Sequence, residues 1–246
     1  MVLSNPPNAV IFPPSDLESD EPPLETDRHL QQIILLLTCL QWWWQERPDA
    51  PESRRKNFYA AGNMTVYYSS RQLRNEKFRG PDFFVVLDTE YKERKSWVVW
   101  EEDGKYPNVI VEMLSDSTAE MDRGKKKDIY QNSFRTPEYF WFDPYTLEFK
   151  GFRFVGLYEE ITPTERGWLW SQELNLYLGI VDEKLRFLTP EGVVVPTPLE
   201  AAKQELQRTE LERQRAEVER QRAESAEAEL DRLRQQLQER GIDLDS

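Results

Sequence analysis

The sequence predicts an α/β (α+β) fold, a mixed sheet flanked by helices and followed by a long C-terminal coiled-coil helix. Three observations carry that expectation. Apolar runs of strand length, rich in β-branched or aromatic residues, recur at residues 83–87, 109–114 and 139–142, the pattern of strands covered on both faces. A polar segment with helical spacing, residues 119–131, lies between the second and third runs, and a helix between strands points to layered α and β structure. The composition then changes at Pro196-Thr197-Pro198. From Leu199 to Arg240 there is no glycine or proline, and Ala, Glu, Gln, Arg and Leu dominate, which specifies one helix about 60 Å long at roughly 1.5 Å per residue.

Each element follows from local chemistry. Residues 1–23 are rich in proline, serine and acids and read as a flexible lead-in. Thr26 or Asp27 caps a helix running to about Glu46. Its aliphatic residues and the Trp42-Trp43-Trp44 run make most of its faces apolar, as a helix covering a sheet requires. Three consecutive tryptophans cannot share one helical face, so at least one is expected to meet a second surface, either the domain's own β region or a partner chain. After a polar break at residues 48–56, strands are expected at 63–69, 83–87, 97–100, 109–114, 139–142 and 149–155. Hairpin segments follow at 168–170, 174–178, 185–188 and 193–195, around the turns Glu165-Arg166-Gly167 and Pro190-Glu191-Gly192. The folded domain is thus expected over residues 24–195 and the coiled coil over 199–240. In the tail Ala223, Ala226, Leu230, Leu233 and Leu237 follow 3-4-3-4 spacing, a coiled-coil seam, whereas Leu199, Leu206, Leu211 and Val218 do not keep its phase. A homodimer through this helix is the expectation, a solvated charged helix the alternative, and Gly241 ends it.

The totals exclude several classes. The 246 residues carry a formal net charge of −13, which argues against simple electrostatic adhesion to nucleic acid or to an anionic membrane. It leaves room for a nuclease with a basic patch inside an acidic surface. Cys39 is the single cysteine, so an internal disulfide framework is excluded and a reducing cytoplasm fits. His29 is the only histidine, which rules out a multi-histidine metal site. No charged segment followed by an apolar core opens the sequence, so secretion is not expected. The longest apolar segment, Ile33 to Trp44, is broken by Thr38 and Gln41 and is too short to span a bilayer. A cytoplasmic protein is the expectation.

Two of the strand runs carry an acid that apolar burial penalises. Asp82 opens the run Pro81-Asp82-Phe83-Phe84-Val85-Val86-Leu87, and Glu112 sits inside Val109-Ile110-Val111-Glu112-Met113-Leu114. Acids on neighbouring core strands need a reason, and a divalent metal is the commonest useful one. Asp82 and Glu112 can hold Mg²⁺ (or Mn²⁺) through hard oxygen ligands, with the backbone carbonyl of Met113 as a further donor. Phosphodiester hydrolysis also needs a cation near the developing charge. Lys126 is the candidate, because Asp122, Lys126 and Tyr130 are each four apart and share one helical face. Lys125 and Lys127 project elsewhere, toward solvent or a nucleic-acid backbone. The plain alternative is a buried Glu112–Lys126 ion pair without chemistry, although such pairs are costly to desolvate. Ser115 and Ser117 are read first as caps of the following helix, and His29 as a capping or packing residue.

Taken together, Pro81-Asp82, then Val109 to Ser117, then Asp122-Arg123-Gly124-Lys125-Lys126 with Tyr130, then Pro137-Glu138-Tyr139-Phe140-Trp141-Phe142-Asp143-Pro144 resemble the Uma-two family of predicted endonucleases, within the restriction-endonuclease-like PD-(D/E)XK superfamily. The resemblance is strongest over Gly80 to Pro144. It implies a restriction-endonuclease-like core in which Asp82 is the aspartate of the PD element and Glu112 the metal-binding acid of the next strand. The superfamily usually places a lysine two residues after that acid, where this chain has Leu114. Similar members supply the lysine from the next helix, and Lys126 stands at the matching place. An acid on the N-terminal helix often joins such sites, for which Glu25 is a weak candidate.

Two function classes follow. One is a Mg²⁺-dependent DNA endonuclease in which a metal-activated water attacks the phosphodiester, with Asp82 and Glu112 holding the metal and Lys126 stabilising the charge. The other is a catalytically quiet binding or scaffold protein that keeps the fold and assembles through residues 199–240.

Overall fold

The computed structural model of the chain describes residues 26–47, 54–68, 78–115 and 122–239; the lead-in expected over 1–23, Glu25, Ser117 and Gly241 lie outside the described residues. The chain divides into two units between Thr197 and Pro198. The first opens with helix α1 (Asp27–Gln41), where Thr26 Oγ1 accepts the amide of His29 at 3.3 Å, and a π turn at Trp42–Glu46 extends it. Strands β1 (Phe58–Gly62), β2 (Val66–Tyr67), β3 (Phe78–Arg79), β4 (Phe83–Leu87), β5 (Trp97–Val98) and β6 (Val109–Met113) follow. Helix α2 (Lys127–Ile129) is extended on both sides by π turns, Asp122–Lys126 and Tyr130–Phe134. Then come β7 (Glu138–Phe142), β8 (Phe149–Phe154), β9 (Tyr158–Glu160), β10 (Leu169–Ser171), β11 (Leu176–Val181) and β12 (Lys184–Leu188).

Among the described residues one mixed sheet runs in the order β1-β4-β6-β7-β8-β9. Its β6 and β7 are parallel and its other neighbours antiparallel. A parallel pair needs a crossover connection, and the helical stretch over residues 122–134 lies within it. Side-chain alternation divides the core in two. Phe83, Val85, Val109, Val111, Phe140 and Phe142 cluster with Ile33, Leu36, Leu40 and Trp44 of the N-terminal helical segment and with Leu178, Leu185 and Phe187 of the separate sheet β10-β11-β12. Phe84, Val86, Ile110, Leu114, Tyr139 and Trp141 cluster on the other side with Tyr130, Phe134 and Trp97. The architecture is a mixed α+β fold with a central sheet between two layers.

The structure decides one expectation left open and departs from others. Trp44 meets the domain's own β region, packing edge-on to Phe58 with centroids 4.7 Å apart. The strand expected at 63–69 is only the two-residue β2 among the described residues, while β1, which was not expected, is a full edge of the sheet. Phe58 and Tyr59 favour a strand, but Ala60, Ala61 and Gly62 do not. These small residues serve packing instead: a Cβ on Gly62 would lie 2.3 Å from Ile33 Cγ2 and 3.4 Å from the carbonyl oxygen of Asp82. Gly62→Ala is therefore expected to destabilise the domain by about 1–3 kcal/mol through overpacking, read as a lower midpoint in urea unfolding. β9 was not expected either, and residues 193–195 form only a bridge, Val194 to Leu188.

The second unit carries α3 (Pro198–Glu239), a 42-residue helix. Among the described residues no helix is long and apolar enough to cross a membrane.

Candidate functional site

Strand parity sets the site. Along β6, Ile110 and Leu114 point to the α2 side of the sheet, and Glu112 between them shares that parity. Asp82 precedes β4 and has the parity of Phe84 and Val86, so it belongs to the same side. The 122–134 stretch lies across that face with Tyr130 and Phe134 in its core cluster. Lys126 ends one π turn and Tyr130 begins the next, and such wide turns recur at functional sites.

These placements bring Asp82, Glu112, Lys126 and Tyr130 together. Glu112 is fully buried. Its Oε2 accepts from Lys126 Nζ at 3.1 Å and from the backbone amide of Asp82 at 3.3 Å, and its Oε1 accepts from the Tyr130 hydroxyl at 2.6 Å. Asp82, half-buried, accepts the amide of Met113 on Oδ2 at 2.6 Å. The Lys126 side chain keeps 18% exposure, so Lys126 and Asp82 are the part-exposed members of the cluster around Glu112.

Electrostatics at Glu112 are in tension. Burial pushes its carboxyl up to about 7, the Lys126 charge pulls it down, and the Asp82 carboxylate pushes it up again. The Tyr130 hydroxyl favours the ionised form, while a hydrogen bond with Asp82 favours the protonated one. A buried carboxylate beside a second carboxylate is stabilised in its charged form by one cation already, and a second cation at the Asp82 side would relieve the remaining repulsion. The donor set fits Mg²⁺ or Mn²⁺, since both carboxylates offer the hard oxygens such a cation prefers. Among the described residues no third His, Cys, Asp or Glu joins them.

Other candidates lie elsewhere. His29 is buried, its ring centroid is 6.3 Å from that of Tyr145, and its Nε2 has no hydrogen-bond partner among the described residues. Lys127 stands over the Phe152 ring at 3.5 Å, and burial pulls its pKa down, so it is held against the sheet rather than free in solvent; Lys125 is exposed. Leu114, where the family resemblance leads one to expect a lysine, is fully buried in the cluster with Tyr130 and Phe134. Tyr130 is the residue whose role the sequence reading did not assign. It shares the Lys126 face by spacing, but an aromatic on a buried helix face reads first as core.

A family model, Uma2, described as "Putative restriction endonuclease", matches residues 17–186. Among solved structures, one described as "a putative nuclease belonging to DUF820" from Anabaena variabilis ATCC 29413 is similar at 11% sequence identity. That match covers 62% of this chain and 76% of the other, with a TM-score of 0.41. No curated protein matches the chain. The family match spans more than half of the sequence, and the chain belongs to the Uma2 family.

Proposed function

We propose that the chain is a Mg²⁺- or Mn²⁺-dependent endonuclease that hydrolyses phosphodiester bonds of DNA in the cytoplasm, working as a homodimer joined through α3. The observation that carries this reading is the convergence of Asp82 and Lys126 on the fully buried Glu112. Burying an acid in a core strand costs stability, and a cation site would account for that cost.

In this reading Asp82 and Glu112 hold the cation, with Asp82 oriented by the Met113 amide and Glu112 by the Tyr130 hydroxyl. Mg²⁺ or Mn²⁺, when bound there, supplies Lewis-acid polarisation of the phosphoryl group and a more acidic water. Hydrolysis forms one P–O bond from water and breaks one to the leaving sugar oxygen, so negative charge spreads over the phosphoryl oxygens. Lys126, part-exposed at the rim of the cluster, donates to one of those oxygens and holds the phosphate against the carboxylates. Releasing its Nζ from Glu112 is feasible only once another cation balances Glu112.

A second reading has its own observation. The Glu112–Lys126 pair and the Tyr130 hydrogen bond satisfy the buried carboxylate without any metal, as a quiet scaffold retaining the fold would require. Nicking of supercoiled plasmid separates the two. Wild type is expected to nick only with Mg²⁺ or Mn²⁺, and Asp82→Ala, Glu112→Ala and Lys126→Ala each to lose it. Nicking that survives all three changes arises outside this site. No nicking by wild type, combined with no metal-dependent rise in Tm, supports the scaffold, since a ligand that binds only the native state must stabilise it.

A further inference from the structure

We propose that α3 pairs with the α3 of a second copy in parallel and in register over residues 222–237. The pairing rests on the homodimer reading and is independent of cleavage. Leu230 and Leu233 are 49% and 52% exposed on the isolated helix, and a solvated helix gains nothing from leucines at that spacing. Placing Ala223, Leu230 and Leu237 at a and Ala226 and Leu233 at d puts Arg222 and Glu229 at g, and Glu227 and Arg234 at e.

In a parallel pair each g side chain meets the e side chain of the following heptad on the other helix. Arg222 then faces Glu227 and Glu229 faces Arg234, opposite charges at both contacts, each repeated by symmetry. Leucine also meets leucine in every leucine layer. The antiparallel arrangement that best overlaps the leucines, with Leu230 opposite Leu233, sets Leu237 against Ala226 and keeps only the Glu227–Arg234 contact. Charge and packing both select the parallel form.

The same code stops the seam upstream. Extending the heptad backward puts Glu205, Glu212 and Glu219 at d and brings Arg208 against Arg213 and Arg215 against Arg220, like charges at the core and flank. That part of the helix satisfies its charges within itself: Arg208 pairs with Glu212 at 3.1 Å, and Arg220 with Glu217 at 2.9 Å and Glu224 at 3.4 Å. Among the described residues no such ion pair engages Arg222, Glu227 or Glu229, three of the four charged side chains the seam uses; the fourth, Arg234, lies 3.7 Å from Asp231 of its own helix. The two helices are therefore joined near their C-terminal ends and separate toward Pro198.

Sedimentation and cross-linking of the full chain test this. Wild type is expected to be a dimer, and Leu230→Glu with Leu233→Glu a monomer. Ala223→Cys should form a disulfide with its own equivalent under mild oxidation, since parallel a positions bring like residues together; wild type, whose single Cys39 is buried, is the control. Glu229→Arg should weaken self-association roughly tenfold by turning both Glu229–Arg234 contacts repulsive, and adding Arg234→Glu should restore it. A monomeric wild type would overturn the dimer itself. A dimer in which Ala223→Cys does not cross-link, or in which the charge exchange has no effect, would overturn the parallel register and leave the dimer standing.

Discussion

Replacing Lys126 with methionine is expected to slow single-turnover cleavage roughly 10²–10³-fold, the range for losing one well-placed charge from a transition-state site. The difficulty is that Lys126 bears on two things. It is the counter-ion of Glu112 at 3.1 Å, and in the proposed mechanism it also donates to the phosphate. Without its charge, burial and Asp82 both push the Glu112 carboxyl upward with less to oppose them. Metal binding would then weaken at neutral pH for a reason unrelated to phosphate. The two roles separate with pH. Raising the pH ionises Glu112 in the Lys126→Met protein, so the Mn²⁺-induced rise in Tm should return. Cleavage should remain low if Lys126 acts on the phosphate. Recovery of cleavage together with metal binding would reduce Lys126 to a counter-ion.

The residues of this cluster were legible because each breaks a local rule. An acid in an apolar strand run stands out against the alternation around it, and strand parity then tells which acids share a face. Lys126 was legible through the four-residue spacing to Tyr130, which survives although the segment is built largely of π turns. A lysine at position 114, where the family resemblance leads one to expect it, would meet a physical obstacle. Position 114 has the parity of Glu112, but it lies inside an aromatic cluster with Tyr130 and Phe134, where an unpaired ammonium would be stranded. Lys126, on the helical stretch, reaches Glu112 at 3.1 Å and keeps part of its side chain in water. The role of Tyr130 was hidden because packing and hydrogen bonding use the same residue, and only the position of Glu112 Oε1 distinguishes them.

What the sequence did not reveal is non-local. β1 carries Ala-Ala-Gly where a strand would show β-branched residues, because its neighbour is α1 and small side chains let the helix close on the sheet. Nothing within those five residues announces that β4 will pair with them. The hairpin segments were recognised by their turns, yet turns do not say whether three strands extend a sheet or form their own. Here they form β10-β11-β12, tied back to the main sheet by Glu138 of β7. Its carboxylate takes the amide of Gln172 at 2.8 Å, an Arg153 guanidinium at 3.2 Å and the Ser171 hydroxyl. A glutamate beginning a strand gave no hint of that junction.

Glu112→Gln is expected to remove most of the pH dependence that the cluster imposes on the metal-free protein. Folding raises the Glu112 carboxyl from its ordinary 4.5 to about 7, so between those values the native state holds a proton that the unfolded chain has released. Stability therefore falls as pH rises through that window, by about 3 kcal/mol in all. The loss is absent below the unfolded value and complete above the folded one. Glutamine cannot ionise, and its carbonyl can still accept from Tyr130. Lys126 loses its counter-ion, but it is exposed enough to be solvated in part. In chelator, urea unfolding of wild type and variant should thus diverge steadily from pH 4.5 to 7, with the variant the more stable at the upper end. Glu138, whose carboxyl burial also raises, contributes a slope of the same sign to both proteins, so their difference isolates Glu112. Mg²⁺ or Mn²⁺ should reverse the order at neutral pH by stabilising only the ionised wild-type site, because the cation competes with the proton for the same oxygens. Parallel pH profiles for the two metal-free proteins would mean that Glu112 is no harder to ionise than a surface acid. The strain that the proposed cation relieves would then not exist.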